Sequence, residues 1–209
     1  MFWNTIAPVY DLFVKFYNRR VHQQLKEKVA AEIGKDDIVL ECACGTGMLS
    51  EVIAKRCKSL TATDYAEKML QKAKKNCASF TNITFEAADI TSLKYPDESF
   101  DTVVAANVLH LLEEPYKALA ELERVTKAGG KLIIPTYMNR EEGKDSSFSQ
   151  AVGKAGADFK RQFTFTSYQR FFEEAGYEGS YCFLEGRVPC ALAVLKKALT
   201  LRTGQKSVD

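Results

Sequence analysis

Val39-Leu40-Glu41-Cys42-Ala43-Cys44-Gly45-Thr46-Gly47-Met48 decides the fold. An apolar run ends in a carboxylate and passes at once into a glycine turn. Ile38 to Leu40 read as a buried parallel strand, and Gly45 and Gly47 allow the positive φ values and close backbone approach of a tight strand-to-helix turn. In an open α/β sheet such a turn lies at the carboxyl ends of the strands, where a crevice forms and the next helix offers free N–H groups. Strand, acid and glycine turn in that order suit a bound nucleoside.

Outward from this stretch, strand-like runs alternate with helical patterns, which predicts βαβ units and a parallel sheet. Val21, Leu25, Val29 and Ile33 fall at helical spacing before the first strand at Ile38 to Glu41. Further strands are expected at 60–64, 83–87, 100–105 and 131–136, and helices at 49–54, 66–77 and 116–126, with Gly129-Gly130 breaking the last helix. Beyond Tyr137 a polar, glycine-containing stretch precedes a helix at 167–175. Two strands, at about 179–184 and 189–195, then read as a terminal antiparallel hairpin. With no repeat, low-complexity tract or linker, 1–209 is expected to be a single domain. Residues 1–20 form its N-terminal lid helix, 138–172 a variable acceptor or lid segment, and 197–209 a loose tail.

Composition narrows the classes. The 209 residues, 46% hydrophobic, suit one domain with a substantial core, and a net charge of +2 from 29 basic and 27 acidic residues gives no nucleic-acid footprint. No apolar run approaches the roughly 20 residues that span a bilayer, and the start lacks signal-peptide regions, so a cytoplasmic protein is expected. Six cysteines, at 42, 44, 57, 77, 182 and 190, contain no CxxC pair, which favours reduced thiols. Cys42 and Cys44 lie in the glycine turn with no second cluster to complete a tetrahedral site, so no metal is expected. Phe2, Trp3, Phe13 and Phe16 beside Arg19 and Arg20 would suit a membrane surface, a role that is not favoured.

Three acids, Glu41, Asp64 and Asp89, fall at successive strand ends and would line one crevice. A carboxylate after the second strand can accept two hydrogen bonds from ribose hydroxyls, which is the role expected of Asp64. Asp89 can accept from the exocyclic amine of a base, while Tyr65 and Ile90 supply apolar faces for its ring. Glu41, under the loop, suits a cationic ammonium or the water around it. An acid-rich crevice fits a cationic nucleoside better than a pyrophosphate.

Glu41 to Gly47 resembles motif I of the class I S-adenosylmethionine-dependent methyltransferases. The match continues through Asp64-Tyr65-Ala66-Glu67-Lys68-Met69-Leu70, Ala88-Asp89-Ile90, Phe100-Asp101, Asn107-Val108-Leu109-His110 and Leu122 to Gly130. The resemblance covers roughly residues 4–137 and is specific as an ordered set. It implies a Rossmann-like, doubly wound α/β sheet of seven strands, mostly parallel with the last strand antiparallel, and helices on both faces. It implies S-adenosyl-L-methionine as cofactor, with S-adenosyl-L-homocysteine as product. Contacts are implied from Glu41, Ala43, Gly45, Gly47, Asp64, Tyr65, Met69, Asp89, Ile90 and Asn107, the last beside the methionine moiety. Two positions depart from the family pattern: Ala43 replaces the first loop glycine by the smallest alternative, and Ala128 stands where a proline is common.

The segment Phe2 to Asp11 is similar to the start of the quinone-methylating branch, the UbiE/methyltransferase type 11 group, which makes Tyr10 the expected lid contact. His110 follows the fourth strand, at the position the family often places at the acceptor mouth, and is the candidate general base. His22 is expected to face solvent or to pack marginally. Phe148, Phe159, Phe163, Phe165, Tyr168, Phe171 and Phe172 favour a flat or apolar small-molecule acceptor such as a quinol, phenol, lipid amine or thiol, although at least half should fill core. Two other readings remain. A nicotinamide-dependent oxidoreductase is disfavoured by Ser50, which stands where a third glycine belongs, and by Glu41, which would repel a pyrophosphate. A cofactor-binding module without turnover would keep the same acids.

Overall fold

The computed structural model describes Trp3, Thr5 and residues 17–140 and 159–197. The elements are α1 (Arg19–Glu32), β1 (Ile38–Cys42), α2 (Ser50–Ala54), β2 (Ser59–Asp64), α3 (Glu67–Asn76), β3 (Ile83–Ala87), β4 (Phe100–Ala105), a 3-10 turn (Leu109–Leu111), α4 (Pro115–Val125), β5 (Thr126–Tyr137), α5 (Phe165–Glu174), β6 (Gly179–Leu184) and β7 (Cys190–Lys196). The seven strands form one sheet in the order β3-β2-β1-β4-β5-β7-β6. β1 to β5 pair in parallel, and β7 runs antiparallel between β5 and β6. The expected Rossmann-like, doubly wound α/β sheet is therefore present. The chain reverses its direction of travel across the sheet between β1 and β4, so the crevice opens at the ends of those two strands.

Alternation along the central strands sorts side chains onto two cores. Leu40 and Cys42 of β1, Val103 and Ala105 of β4, and Leu132 and Ile134 of β5 meet Leu119, Leu122, Phe171 and Phe172 of α4 and α5. Val39, Val104 and Ile133 point the opposite way, onto Leu25 and Val29 of α1, Ile53 of α2 and Leu70 of α3. Each buried leucine or phenylalanine contributes about 1.5–3 kcal/mol. Glu41 shares its face with Val39, where the alternation calls for an apolar residue.

Three expectations are corrected here. Gly129-Gly130 does not end α4, because Thr126 is already extended and the helix passes directly into β5. The glycines instead form an irregularity within β5, where its register against β4 shifts between Phe100 and Thr102. Lys197 is not part of a loose tail: its N–H donates to the Gly130 carbonyl and its ammonium to the Thr126 carbonyl, at 3.0 and 2.7 Å. His22 is buried, and its Nε2 lies 2.6 Å from the Tyr137 hydroxyl. Its helix packs on the sheet, so this polar side chain faces inward.

Arg124 joins α4 to the chain before β4, donating to Glu121, to Asp97 and to the carbonyls of Leu93 and Tyr95. No helix among the described residues is long and apolar enough to cross a membrane. At Gly130 a Cβ would lie 2.7 Å from the Asp101 carbonyl oxygen and 2.9 Å from that of Lys127, both fixed in the ladder. Gly130→Ala should therefore cost about 1–3 kcal/mol, seen as a fall of several degrees in Tm by calorimetry, whereas an unchanged Tm would show that the irregularity yields freely.

Candidate functional site

The loop after β1 carries three residues in the left-handed region, Ala43, Gly45 and Gly47, with φ of 56°, 57° and 87°. Ala43 therefore pays the steric cost that the usual glycine avoids, of order 1 kcal/mol. A Cβ at Gly47 would press on Cys77 Sγ and Ala73, so this glycine is required for close packing on α3. A Cβ at Gly45 would meet nothing within 4 Å, so the loop presents open backbone at that point.

Asp64 ties this loop to the next crossover. Its Oδ2 accepts from the Gly45 N–H and its Oδ1 from the Ala66 N–H, both at 2.8 Å. Burial raises its pKa, against the opposing effect of the backbone donors of Ala66, Gly45 and Tyr65. Each carboxylate oxygen keeps a second lone pair, the capacity needed for two ribose hydroxyls. The expected array of free loop amides is reduced, since Gly45 donates to Asp64 and Gly47 to the Cys44 carbonyl. α2 is five residues long and begins only at Ser50. A loop whose amides are already engaged, over a buried acid, is a poor cradle for a pyrophosphate, so the nicotinamide reading loses its geometric basis.

Glu41 is 1% exposed. Its Oε2 accepts from the Ser50 hydroxyl at 2.5 Å. Burial pushes its pKa up to about 8, with Ser50 opposing the shift and the Asp64 charge adding to it. A buried carboxyl held so far above its ordinary range is electrostatically unsatisfied, and a cation seated at the loop would return it to the ionised form. This chemistry and the open backbone at Gly45 fit S-adenosylmethionine, which carries a sulfonium and an ammonium. Burial also holds the Cys42 thiol at about 12, so it is protonated and inert as a nucleophile.

The remaining predicted contacts lie around this centre. Asp89 is exposed and accepts from the N–H and hydroxyl of Thr91, which keeps it ionised. Ile90 is buried and Tyr65 stands out into solvent. Met69 is buried with Ala66 against Trp3, at the start of α3. Asn107 adopts φ 53°, and its side-chain carbonyl accepts from the Tyr137 N–H at 2.9 Å. Tyr10 and Phe148 lie outside the described residues.

Tyr137 leads into a second recess, lined in part by His110, Tyr137, Phe159, Arg161, Phe163 and Val188. His110 is 6% exposed, its ring is stacked on Phe159 with centroids 5.5 Å apart, and its Nδ1 has no hydrogen-bond partner. Burial lowers its pKa to about 4. Of the expected aromatic cluster, Phe163, Tyr168, Phe171 and Phe172 are core residues. Phe159 lines the recess, as Phe163 also does, and Phe165 packs edge-on to Phe183. Sequence reasoning missed Arg161 and the His22–Tyr137 pair. The run of phenylalanines around Arg161 was the available signal, but the pair joins residues 115 apart.

A methyltransferase-domain model matches residues 40–134, the span from β1 to β5 that carries the acids and the loop. Over this span the chain is similar to the S-adenosylmethionine-dependent methyltransferases of the UbiE/type 11 group. It is 36% identical over 139 residues to the demethylmenaquinone methyltransferase of Renibacterium salmoninarum, covering 65% of this chain and 56% of that one. It is 34% identical over 140 residues to the ubiquinone/menaquinone biosynthesis C-methyltransferase UbiE of Bdellovibrio bacteriovorus, covering 63% and 58%. The match thus spans less than two thirds of these relatives' own length. Among solved structures, the magnesium protoporphyrin IX methyltransferase of Synechocystis, determined with bound S-adenosylhomocysteine, superposes with a TM-score of 0.63 at 20% identity, over 85% of this chain and 84% of that one.

The Glu41 carboxyl supplies a direct test. The folded protein holds a proton that the unfolded chain, with the ordinary value of 4.5, gives up, so stability falls as pH rises from about 4.5 towards 8. Glu41→Gln should therefore stabilise the ligand-free protein by about 2–4 kcal/mol at pH 8 and by little at pH 5. Chemical denaturation at the two pH values measures this, and parallel stability profiles for the two proteins would contradict it.

Proposed function

We propose that the protein is a methyltransferase that uses S-adenosyl-L-methionine to alkylate a small, flat, largely apolar acceptor, with quinols the class its relatives suggest. The observation that carries this reading is the junction of two unlike sites. An acid-lined crevice with a buried carboxyl held by the Ser50 hydroxyl is joined through the Asn107–Tyr137 hydrogen bond to an aromatic recess holding a histidine whose Nδ1 is unpartnered.

When bound, S-adenosylmethionine supplies a methyl group already activated by its cationic sulfur, so the chain's own work is positioning and exclusion of water. Asp64 would accept the ribose hydroxyls, Asp89 the exocyclic amine, and Glu41 would face the cationic end. Tyr65 and Ile90 would flank the base, and Ala43, Gly45, Gly47 and Met69 would shape the pocket. Asn107, with its carbonyl committed to Tyr137, keeps its amide N–H groups for the methionine moiety. His110, neutral at physiological pH, can accept or donate a hydrogen bond at the acceptor. As a base it is matched to acceptors whose own proton is acidic.

The test is calorimetric titration with S-adenosylmethionine, and in parallel with NAD, of the wild-type protein and Asp64→Ala. Binding of the first ligand alone is expected. Loss of the ribose hydrogen bonds should weaken it by about 2–4 kcal/mol in the variant. An unchanged affinity contradicts the role of Asp64, and binding of NAD in preference contradicts the reading as a whole.

A further inference from the structure

A polar pair is set into an apolar layer at the carboxyl end of β5. Among the buried residues of α1, Val21, Leu25 and Val29 supply the apolar stripe and His22 is the polar exception. Its Nε2 lies 2.6 Å from the Tyr137 hydroxyl, and Tyr137 packs against the cluster that holds Leu25 and Val29. The helix is fixed where His22 stands. Asn18 donates from Nδ2 to the Val188 carbonyl at 2.8 Å, and a Cβ at Gly186 would lie 2.1 Å from Val21, so the turn between β6 and β7 presses directly on the start of α1. A hydrocarbon side chain at position 22 would suit this layer better, and a polar pair kept there points to a demand on Tyr137.

That demand comes from Asn107. The register of β4 against β5 runs to Val104 and Ile133, and beyond it Asn107 takes over the pairing. Its N–H donates to the Pro135 carbonyl at 2.8 Å, and its Oδ1 accepts from the Tyr137 N–H at 2.9 Å. These two bonds hold Asn107 at its left-handed φ of 53°. With Oδ1 committed, the amide N–H groups point away from the Tyr137 N–H, and as donors they suit a carboxylate rather than an ammonium. Tyr137 is the last residue of its strand, so the bond to His22 anchors its side chain where the ladder ends. We propose that His22 is a positioning residue for S-adenosylmethionine: through Tyr137 it holds Asn107 in the conformation that offers its amide to the amino-acid end of the cofactor.

The inference rests on the methyltransferase reading, and its test separates the two. S-adenosylhomocysteine and methylthioadenosine, which keeps the nucleoside and the thioether but lacks the amino acid, are titrated calorimetrically into the full chain. The wild type should bind the first more tightly. His22→Leu and Tyr137→Phe should each weaken S-adenosylhomocysteine about 3- to 10-fold and leave methylthioadenosine unchanged, and the double variant should bind no more weakly than either. His22→Gln, which can still hydrogen-bond the Tyr137 hydroxyl, should restore most of the affinity. In an Asn107→Ala background His22→Leu should have no further effect. Tyr137→Phe, which deletes one oxygen, carries the test where His22→Leu disturbs the fold. The assignment is overturned if the variants lose both ligands equally or neither, if the effect of His22→Leu survives Asn107→Ala, or if His22→Gln behaves as His22→Leu does. It is overturned as well if the wild type binds both ligands with equal affinity. Failure of the wild type to bind S-adenosylhomocysteine at all defeats the methyltransferase reading, and the inference with it.

Discussion

A carboxyl group buried where the strand pattern calls for a hydrocarbon is the constraint on which this structure turns. Glu41 shares its sheet face with Val39, beneath the helices of one layer, with a serine hydroxyl as its hydrogen-bond donor. A hydrophobic side chain there would contribute to the core, and a lone carboxylate would be driven towards its neutral form. Breaking a local rule at such a cost is characteristic of a functional position. The glycine loop above it is asymmetric: Gly47 packs tightly on α3, and Gly45 presents bare backbone.

Asp64 converts this local feature into a site. By accepting from the amides of Gly45 and Ala66 it fixes the loop after β1 against the start of α3, so two crossovers share one carboxylate. On the other side of β1, Asn107 and Tyr137 link the ends of β4 and β5 and carry the crevice into the recess at His110. Tyr137 is backed in turn by the buried His22 of α1. The strand ends thus hold an acid-lined crevice beside an aromatic recess.

The central βαβ units were legible because short apolar runs such as Val39-Leu40 and Val103-Val104 alternate with helices such as α1, which keeps an apolar stripe at i, i+4 and i+8. The acids could be placed because strand order puts their carboxyl ends together. Other features required the third dimension. Gly129-Gly130 read as a helix stop, whereas Thr126 had already turned the chain and the glycines serve a register shift in β5. His22, next to Gln23 and Gln24, looked solvent-facing, and only the packing of α1 shows that it meets Tyr137. The aromatic run after Phe159 could not be divided by sequence into core and recess, because the division depends on which face of α5 meets the sheet. Arg161 was hidden for the same reason.

The most direct measurement follows from the proton on Glu41. Titrating S-adenosylmethionine at pH 7 in buffers of different ionisation enthalpy counts the protons released on binding. If the cationic ligand is held against this carboxyl, about one proton should leave the wild-type protein and about none the Glu41→Gln variant, which should also bind more weakly. Binding of equal strength in the two proteins, with no difference in proton release, would contradict the role assigned to the buried acid.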